Sequence, residues 1–277
     1  MSTNAVVPFS ARHYLVASDF DQTLSFNDSG QVLADLLGVR GFEEKVAGLA
    51  QSHLVQQGGE LAYLIRHDPE FRAVRREHLV ETGRRVRLKA EIPALLEFFA
   101  RGFAGHQFSF VVVSAAPREV VESALAGLVP PDHIFASEFD FDSQSHEVTS
   151  VRRVPAGYGK VAVLDSLESR WRIVADRIVY IGDGSSDVHV MLHVNNRDGF
   201  TIAVSENRQL ARIARTTVLS DSAFSVLAPM LKHVLRLSTS EVRDVFESHG
   251  LTLDAWDHAE ADRIVVGAAA AAPGAWS

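Results

Sequence analysis

The chain reads as an α/β protein built on a doubly wound, mostly parallel sheet, and three junctions carry that expectation. In each, an apolar run ends in a polar or glycine-bearing loop: Tyr14-Leu15-Val16-Ala17 before Asp19-Phe20-Asp21-Gln22-Thr23, Phe108 to Val113 before Ser114-Ala115-Ala116-Pro117, and Ile178-Val179-Tyr180-Ile181 before Gly182-Asp183-Gly184-Ser185-Ser186-Asp187. Short apolar runs closed by turn residues read as buried strands. In open α/β sheets ligands gather at the C-terminal ends of such strands, so all three loops fall where a site is expected.

The first junction is the most informative. In an extended segment the side chains at i and i+2 leave the same face, which aims Asp19 and Asp21 at one point and turns Phe20 the other way. Two converging carboxylates invite a cation. Asp-x-Asp-x-Thr on its own is as often a turn as a site. A calcium loop is excluded, since its sixth position would be Leu24 rather than Gly and its twelfth Gly30 rather than Glu.

The second junction sets Ser114 at a strand end, and Pro117 opens a helix from Arg118 to Leu128 whose free N–H groups attract an anion. Alone, Ser114 would read as a helix cap. At the third junction Gly182 and Gly184 allow close backbone approach, Asp183 adds a carboxylate, and a helix-like stretch follows from Val188 to Leu192. Between these two junctions Lys160 opens a helix that runs through Leu167. An isolated lysine is usually solvated; among acids and phosphate it balances charge.

As a set, and in this order, Asp19-Phe20-Asp21-Gln22-Thr23, Ser114, Lys160 and Gly182-Asp183-Gly184-Ser185-Ser186-Asp187 resemble the haloacid dehalogenase superfamily, and within it the phosphoserine phosphatase branch. The resemblance spans roughly Tyr14 to Leu237. It implies a Rossmann-like core interrupted by an inserted helical cap, with Asp19 as nucleophile, Asp21 as general acid and base, and Lys160 as charge partner. Thr23, Ser114, Ala115 and Lys160 would contact the phosphate. Asp19, Asp21 and Asp183 would hold Mg²⁺, and Asp187 would support its water shell. By spacing, Asp28 matches the cap acid that reads a substrate ammonium, and Arg66 is the candidate for the arginine that reads a substrate carboxylate. Two departures bear on substrate: Ser185-Ser186 stand where that branch has Ala-Asn, and Ser114-Ala115-Ala116 where it has Ser-Gly-Gly.

These residue types suit the implied chemistry. A carboxylate attacking phosphorus splits one slow displacement into two easier ones, and a second acid protonates the leaving alcohol and then activates water. Magnesium takes a few carboxylates plus water and phosphate. The expected activity is thus Mg²⁺-dependent hydrolysis of a small phosphomonoester, with phosphoserine as the lead. Transfer of the phosphoryl group to a second alcohol would use the same machinery and stays open. A non-catalytic phosphoacceptor module predicts a shorter chain, an acid pair and acceptor on different strands, and no Gly-Asp-Gly-x-x-Asp after the lysine.

Organisation follows the motifs. Residues 10–27 and 98–237 form the expected core, and 28–97, rich in helix formers, the expected cap; 238–277 form a C-terminal extension, helical from Ser238 to Ile264 and frayed from Val265. Phe135 to Val154 alternates around Asp142-Ser143-Gln144-Ser145 and reads as a hairpin, with Glu138, Asp140 and Asp142 on its outer face. His189 and His193 stand four apart, but no third ligand is near, so an ordinary helix face is expected over zinc. At 277 residues and 47% hydrophobic content the chain can bury a large core, and it has no cysteine for disulfide or thiolate chemistry. A net charge of −8 argues against nucleic acid. No apolar run reaches membrane-spanning length and the first twelve residues do not read as a secretion signal, so a cytoplasmic protein is expected.

Overall fold

The computed structural model of the chain describes residues 12–53 and 55–251. The apolar runs picked out in the sequence form the centre of a seven-stranded sheet ordered β4-β3-β2-β1-β5-β6-β7. Its strands are β1 (Arg12–Ser18), β2 (His106–Pro117), β3 (Ile134–Phe141), β4 (Val148–Arg153), β5 (Ile178–Gly182), β6 (Phe200–Ala203) and β7 (Thr216–Thr217). All neighbouring pairs are parallel except β3 with β4. The central β1 is covered on both faces, and Leu15, Val16 and Ala17 are fully buried; this is why it lacks the polar alternation of a half-exposed strand.

Helices α1 (Ser29–Leu37), α2 (Phe42–Ser52), α3 (Glu60–His67), α4 (Arg76–Arg85) and α5 (Ile92–Arg101) all fall between β1 and β2. The expected insertion boundary at residue 97 lies inside α5. That helix packs on β2 through aromatic contacts, with Phe99 stacked on Phe110 at 5.7 Å between ring centres and Phe98 against Phe108 at 6.1 Å. Of the four helices before it, α3 also touches the sheet, at β2 and β4. Phe20, expected to turn away from the two acids, is fully buried and shares one continuous apolar cluster with Leu33, Phe42 and Leu79 of the insertion and Val120 beyond β2. The insertion is cemented to the core by shared burial.

Next come α6 (Arg118–Ala124), α7 (Tyr158–Trp171), α8 (Val188–Asn195) and α9 (Arg208–Ile213), then α10 (Leu227–Pro229) within a mixed helical run over residues 223–234, and α11 (Thr239–Ser248). The expected hairpin is β3–β4. On its outer face Glu138 lies 3.4 Å from Arg118 and Asp140 3.4 Å from Arg152, so these acids pair with arginines. The C-terminal helix is shorter than the sequence predicts: Ser238 caps α11, but the helix ends at Ser248, Gly250 turns left-handed, and the Leu251 N–H returns to the Phe246 carbonyl. The remainder of that stretch, and the tail from Val265, lie outside the described residues. His193 is turned to Asp165 at 2.9 Å and His189 stacks on Tyr158, so the two histidines do not converge.

Gly83 decides how closely α4 approaches α6. A Cβ there would run into the Val120 carbonyl oxygen and stand 2.8 Å from the Ser123 Cβ, so only a hydrogen fits between the two helices. Gly83→Ala should destabilise the protein by about 1–3 kcal/mol through overpacking, although alanine is the better helix former. Denaturant unfolding of the variant checks this, and unchanged stability would mean the interface is looser than described.

Candidate active site

The three strand-end loops meet over a cleft of about 260 Å³. The Asp19 amide continues the β1–β5 ladder by donating to the Ile181 carbonyl at 2.9 Å, which sets the first and third loops side by side. Asp19, Asp21, Ser114, Ala115 and Asp183 all line this cleft, with Asp28 from the start of the insertion. Lys160 and Asp187 lie fully buried beneath it.

Lys160 is the hinge of the arrangement. Its Nζ donates to Asp19 Oδ2 at 2.5 Å and to Asp187 Oδ1 at 2.6 Å. Burial pulls its pKa down, but the charges of Asp187 and Asp19 outweigh this and raise it above the ordinary lysine value. The Phe20 N–H donates to Asp19 Oδ1 at 2.6 Å, so both oxygens of that carboxylate are oriented. Burial nevertheless pushes the Asp19 carboxyl up to about 6, against the pull of Lys160.

Asp187 is saturated. Oδ1 also accepts from the Tyr180 hydroxyl at 2.6 Å, and Oδ2 takes the Asp183 and Gly184 amides at 3.0 and 3.1 Å. Its role as structured is to orient Lys160 and shape the loop after β5. Gly182 is required there: an added Cβ would run into the Asp187 carboxylate.

Asp183 is different. Its Oδ1 accepts from the Thr23 hydroxyl at 3.3 Å, and it forms no ion pair among the described residues. Burial, then the charges of Asp19 and Asp187, drive its carboxyl well above the usual range. Oxygens of Asp19, Asp183 and Asp187 lie within 4.8 Å of one another, while one lysine neutralises one of three charges. Such an excess of buried negative charge fits a divalent cation, which Asp19 and Asp183 would hold, since the oxygens of Asp187 are already engaged.

Asp21 points to a separate partner. Ser29 donates to it twice, from its amide at 2.9 Å and its hydroxyl at 2.8 Å. Burial, then the charge of Asp28, raises the Asp21 carboxyl well above its ordinary range, which suits a group that gives and takes a proton. The Asp21 side chain is not part of the three-acid cluster, so any part it takes in holding a metal falls to its backbone carbonyl. Ser114 Oγ accepts from the Ala116 N–H at 3.2 Å. The Ala115 carbonyl is held by the Ser137 hydroxyl at 2.6 Å.

The two insertion residues fare differently. Asp28 Oδ1 caps α1 by accepting from the Gly30 and Gln31 amides at 2.8 and 3.1 Å, and the residue still lines the cleft. Arg66 does not line it. The buried face of α3 carries Ala62, Leu64 and Ile65, which turns Arg66 outward to a second depression with Tyr63, His67 and Val154. Among the described residues, Arg66 therefore does not stand at the cleft, where the resemblance had placed an arginine.

Sequence reading missed Tyr180, Ser29 and Glu60. Tyr180 is hidden in an apolar strand, and its one signal is a hydroxyl inside a run otherwise free of polar groups. Glu60 follows Gly58-Gly59 at the start of α3, where an acid is ordinarily read as favouring the helix N-terminus. It is only 7% exposed and lines the cleft.

Fold and site together define a hydrolase of the haloacid dehalogenase type. The family model for haloacid dehalogenase-like hydrolases matches residues 16–192, and the chain belongs to that family. Among solved structures, a substrate-bound phosphoserine phosphatase superposes with a TM-score of 0.63 at 20% identity, covering 80% of this chain and 98% of that one. A phospho-aspartyl intermediate analogue of phosphoserine phosphatase gives 0.60 at 20% identity, over 80% and 99%. A hydrolase of the same family from Salmonella enterica serovar Typhi gives 0.61 at 16% identity, over 76% and 68%. No curated protein matches the chain significantly in sequence. No helix among the described residues is long and apolar enough to cross a membrane.

The charge excess has a measurable consequence. A carboxyl whose folded pKa is raised stabilises the fold below its unfolded pKa and loses that contribution as pH rises through the folded value. For Asp19 this window runs from the usual carboxylate range to about 6. At pH 7.5 the metal-free site should be strained, so Asp183→Asn should raise the metal-free melting temperature and abolish the further rise that divalent cations give the wild type. A variant that melts lower, or still responds to cations, would remove Asp183 from the metal site.

Proposed function

We propose that the chain is a Mg²⁺-dependent phosphomonoester hydrolase working through an aspartyl-phosphate on Asp19. The observation that carries this reading is the Asp19 carboxylate, held by Lys160 and the Phe20 amide at the floor of a cleft beside Asp21 and the acid cluster. The phosphoserine phosphatase folds above support it. In this reading Asp19 attacks phosphorus while Asp21 gives its proton to the departing alkoxide; Asp21, now a carboxylate, then takes a proton from the water that hydrolyses the phosphoenzyme. Lys160 balances Asp19 and Asp187 in the resting state and the transferring oxygens during attack. Thr23, Ser114 and Ala115 would flank the phosphate. Mg²⁺, held by Asp19, Asp183 and the Asp21 carbonyl, would offset phosphate charge that the carboxylates otherwise repel.

Residues 28–97, with the last helix shared with the sheet layer, would act as the cap over a core formed by residues 10–27 and 98–237. The substrate would be a small phosphorylated metabolite acted on in the cytoplasm, and phosphoserine is the first to test. Asp19→Asn, which keeps shape but removes the nucleophile, should lower phosphate release by about three orders of magnitude or more. Asp21→Asn should instead let phosphoenzyme build up from an activated aryl ester, read by mass spectrometry. Excess chelator should silence the wild type and added Mg²⁺ restore it. Near-normal turnover by Asp19→Asn, or full activity in chelator, would overturn the reading.

A further inference from the structure

Charge divides the cleft into two halves. On the floor, Lys160 answers Asp19 and Asp187, and a cation held by Asp19 and Asp183 would offset the remaining charge. On the insertion side stand Asp28 and Glu60, and neither forms an ion pair among the described residues. Among the described residues no lysine, arginine or histidine lines the cleft, and Arg66 faces elsewhere.

Glu60 is the more telling of the two. It is 7% exposed, and its Oε2 is fixed by the Gly58 N–H at 2.7 Å, so an almost buried carboxylate is pinned in place with no cation beside it. Such a group is costly unless a positive partner arrives. Gly58 holds the loop against the floor: it is left-handed at φ +92, and a Cβ there would stand 2.8 Å from the Ser186 Cβ and 3.7 Å from that of Ala115. Glu60 thereby lines the same cleft as Ser114 and Ala115. The rest of the insertion wall is Gln57, which is uncharged, and the apolar Phe42, Val46, Ala50 and Leu61, which suit methylene groups.

We infer, on the phosphatase reading above, that the insertion half of the cleft receives a cationic arm, so that the preferred substrates are phosphomonoesters of small amino alcohols rather than of amino or hydroxy acids, with Glu60 reading the ammonium. A substrate carboxylate would face Asp28 and Glu60 with no cation to meet it, a like-charge encounter in a partly desolvated space. Burial, and after it the charge of Asp28, holds the Glu60 carboxyl above its ordinary range, the response expected of an acid lacking its cation. An ammonium would relieve that strain. Asp28, committed to α1 through Oδ1, would add long-range attraction.

The test compares kcat/KM of the purified chain in Mg²⁺ for phosphoethanolamine, phosphoserine, phosphoglycolate and para-nitrophenyl phosphate. The ammonium contact corresponds to about a ten- to hundredfold preference for phosphoethanolamine over phosphoglycolate, and the unanswered carboxylate should place phosphoserine, which carries the same ammonium, about tenfold below phosphoethanolamine. In Glu60→Gln, which keeps the acceptor for Gly58, the ratio of phosphoethanolamine to aryl phosphate should fall about tenfold, with folding checked by thermal melting. Phosphoserine or phosphoglycolate turned over as well as phosphoethanolamine would overturn the inference while leaving the phosphatase intact, as would an unchanged ratio in folded Glu60→Gln. If Glu60→Gln does not fold, the wild-type ranking decides alone. Failure to hydrolyse any of the four esters would overturn the phosphatase reading and this inference with it.

Discussion

Everything at the strand ends depends on one buried ammonium. Lys160, brought in from the first turn of α7, is fully enclosed and spans Asp19 on the β1 side and Asp187 in the loop after β5. An ion group so deeply desolvated is tolerated because two carboxylates answer it, and those carboxylates in turn are tolerated because their remaining lone pairs meet amides and the Tyr180 hydroxyl. The result is a rigid base on which one acid, Asp183, is left without a counterion. Rigidity and reactivity therefore come from the same residues: Lys160 and Asp187 satisfy each other so that Asp19 and Asp183 can be held together in excess charge.

The helical insertion supplies the other half of the site by packing. Its apolar face merges with the core through Phe20, Leu33, Phe42 and Leu79, and α4 is drawn against α6 where Gly83 offers no side chain. The β3–β4 hairpin adds a further tie, since the Arg76 amide donates to the His146 carbonyl and the Val148 amide to the Val74 carbonyl. A wall anchored in these ways presents fixed side chains to the cleft. What it presents is two acids, Asp28 and Glu60, the amide of Gln57 and the apolar Phe42, Val46, Ala50 and Leu61.

The division between what was legible and what was not follows physical range. Short apolar runs closed by turn residues identified β1, β2 and β5, because strand burial and strand ends are local properties. The clustering of Asp19, Asp21, Ser114, Ala115 and Asp183 was legible for the same reason, since residues at the carboxyl ends of neighbouring parallel strands must meet. The chain by itself thus determined the three central strands, the acids at their ends and a lysine among them as charge partner.

Only the tertiary structure decided the rest, because it depends on which face of a helix turns inward. Arg66 and Glu60 lie on the same helix, six residues apart; packing of Ala62, Leu64 and Ile65 sent the arginine outward and left the glutamate in the cleft. Asp187 reads in sequence as a metal helper, yet two amides of its own loop, Tyr180 and Lys160 claim its oxygens, and the lysine stands 27 residues away, a contact that no local pattern encodes. The helix after Ser238 was overextended because its propensity is local, whereas the stop comes from a left-handed Gly250 closing onto Phe246. Sequence determined which chemical groups meet at the strand ends; long-range packing decided which of them stay free to act and what faces them across the cleft.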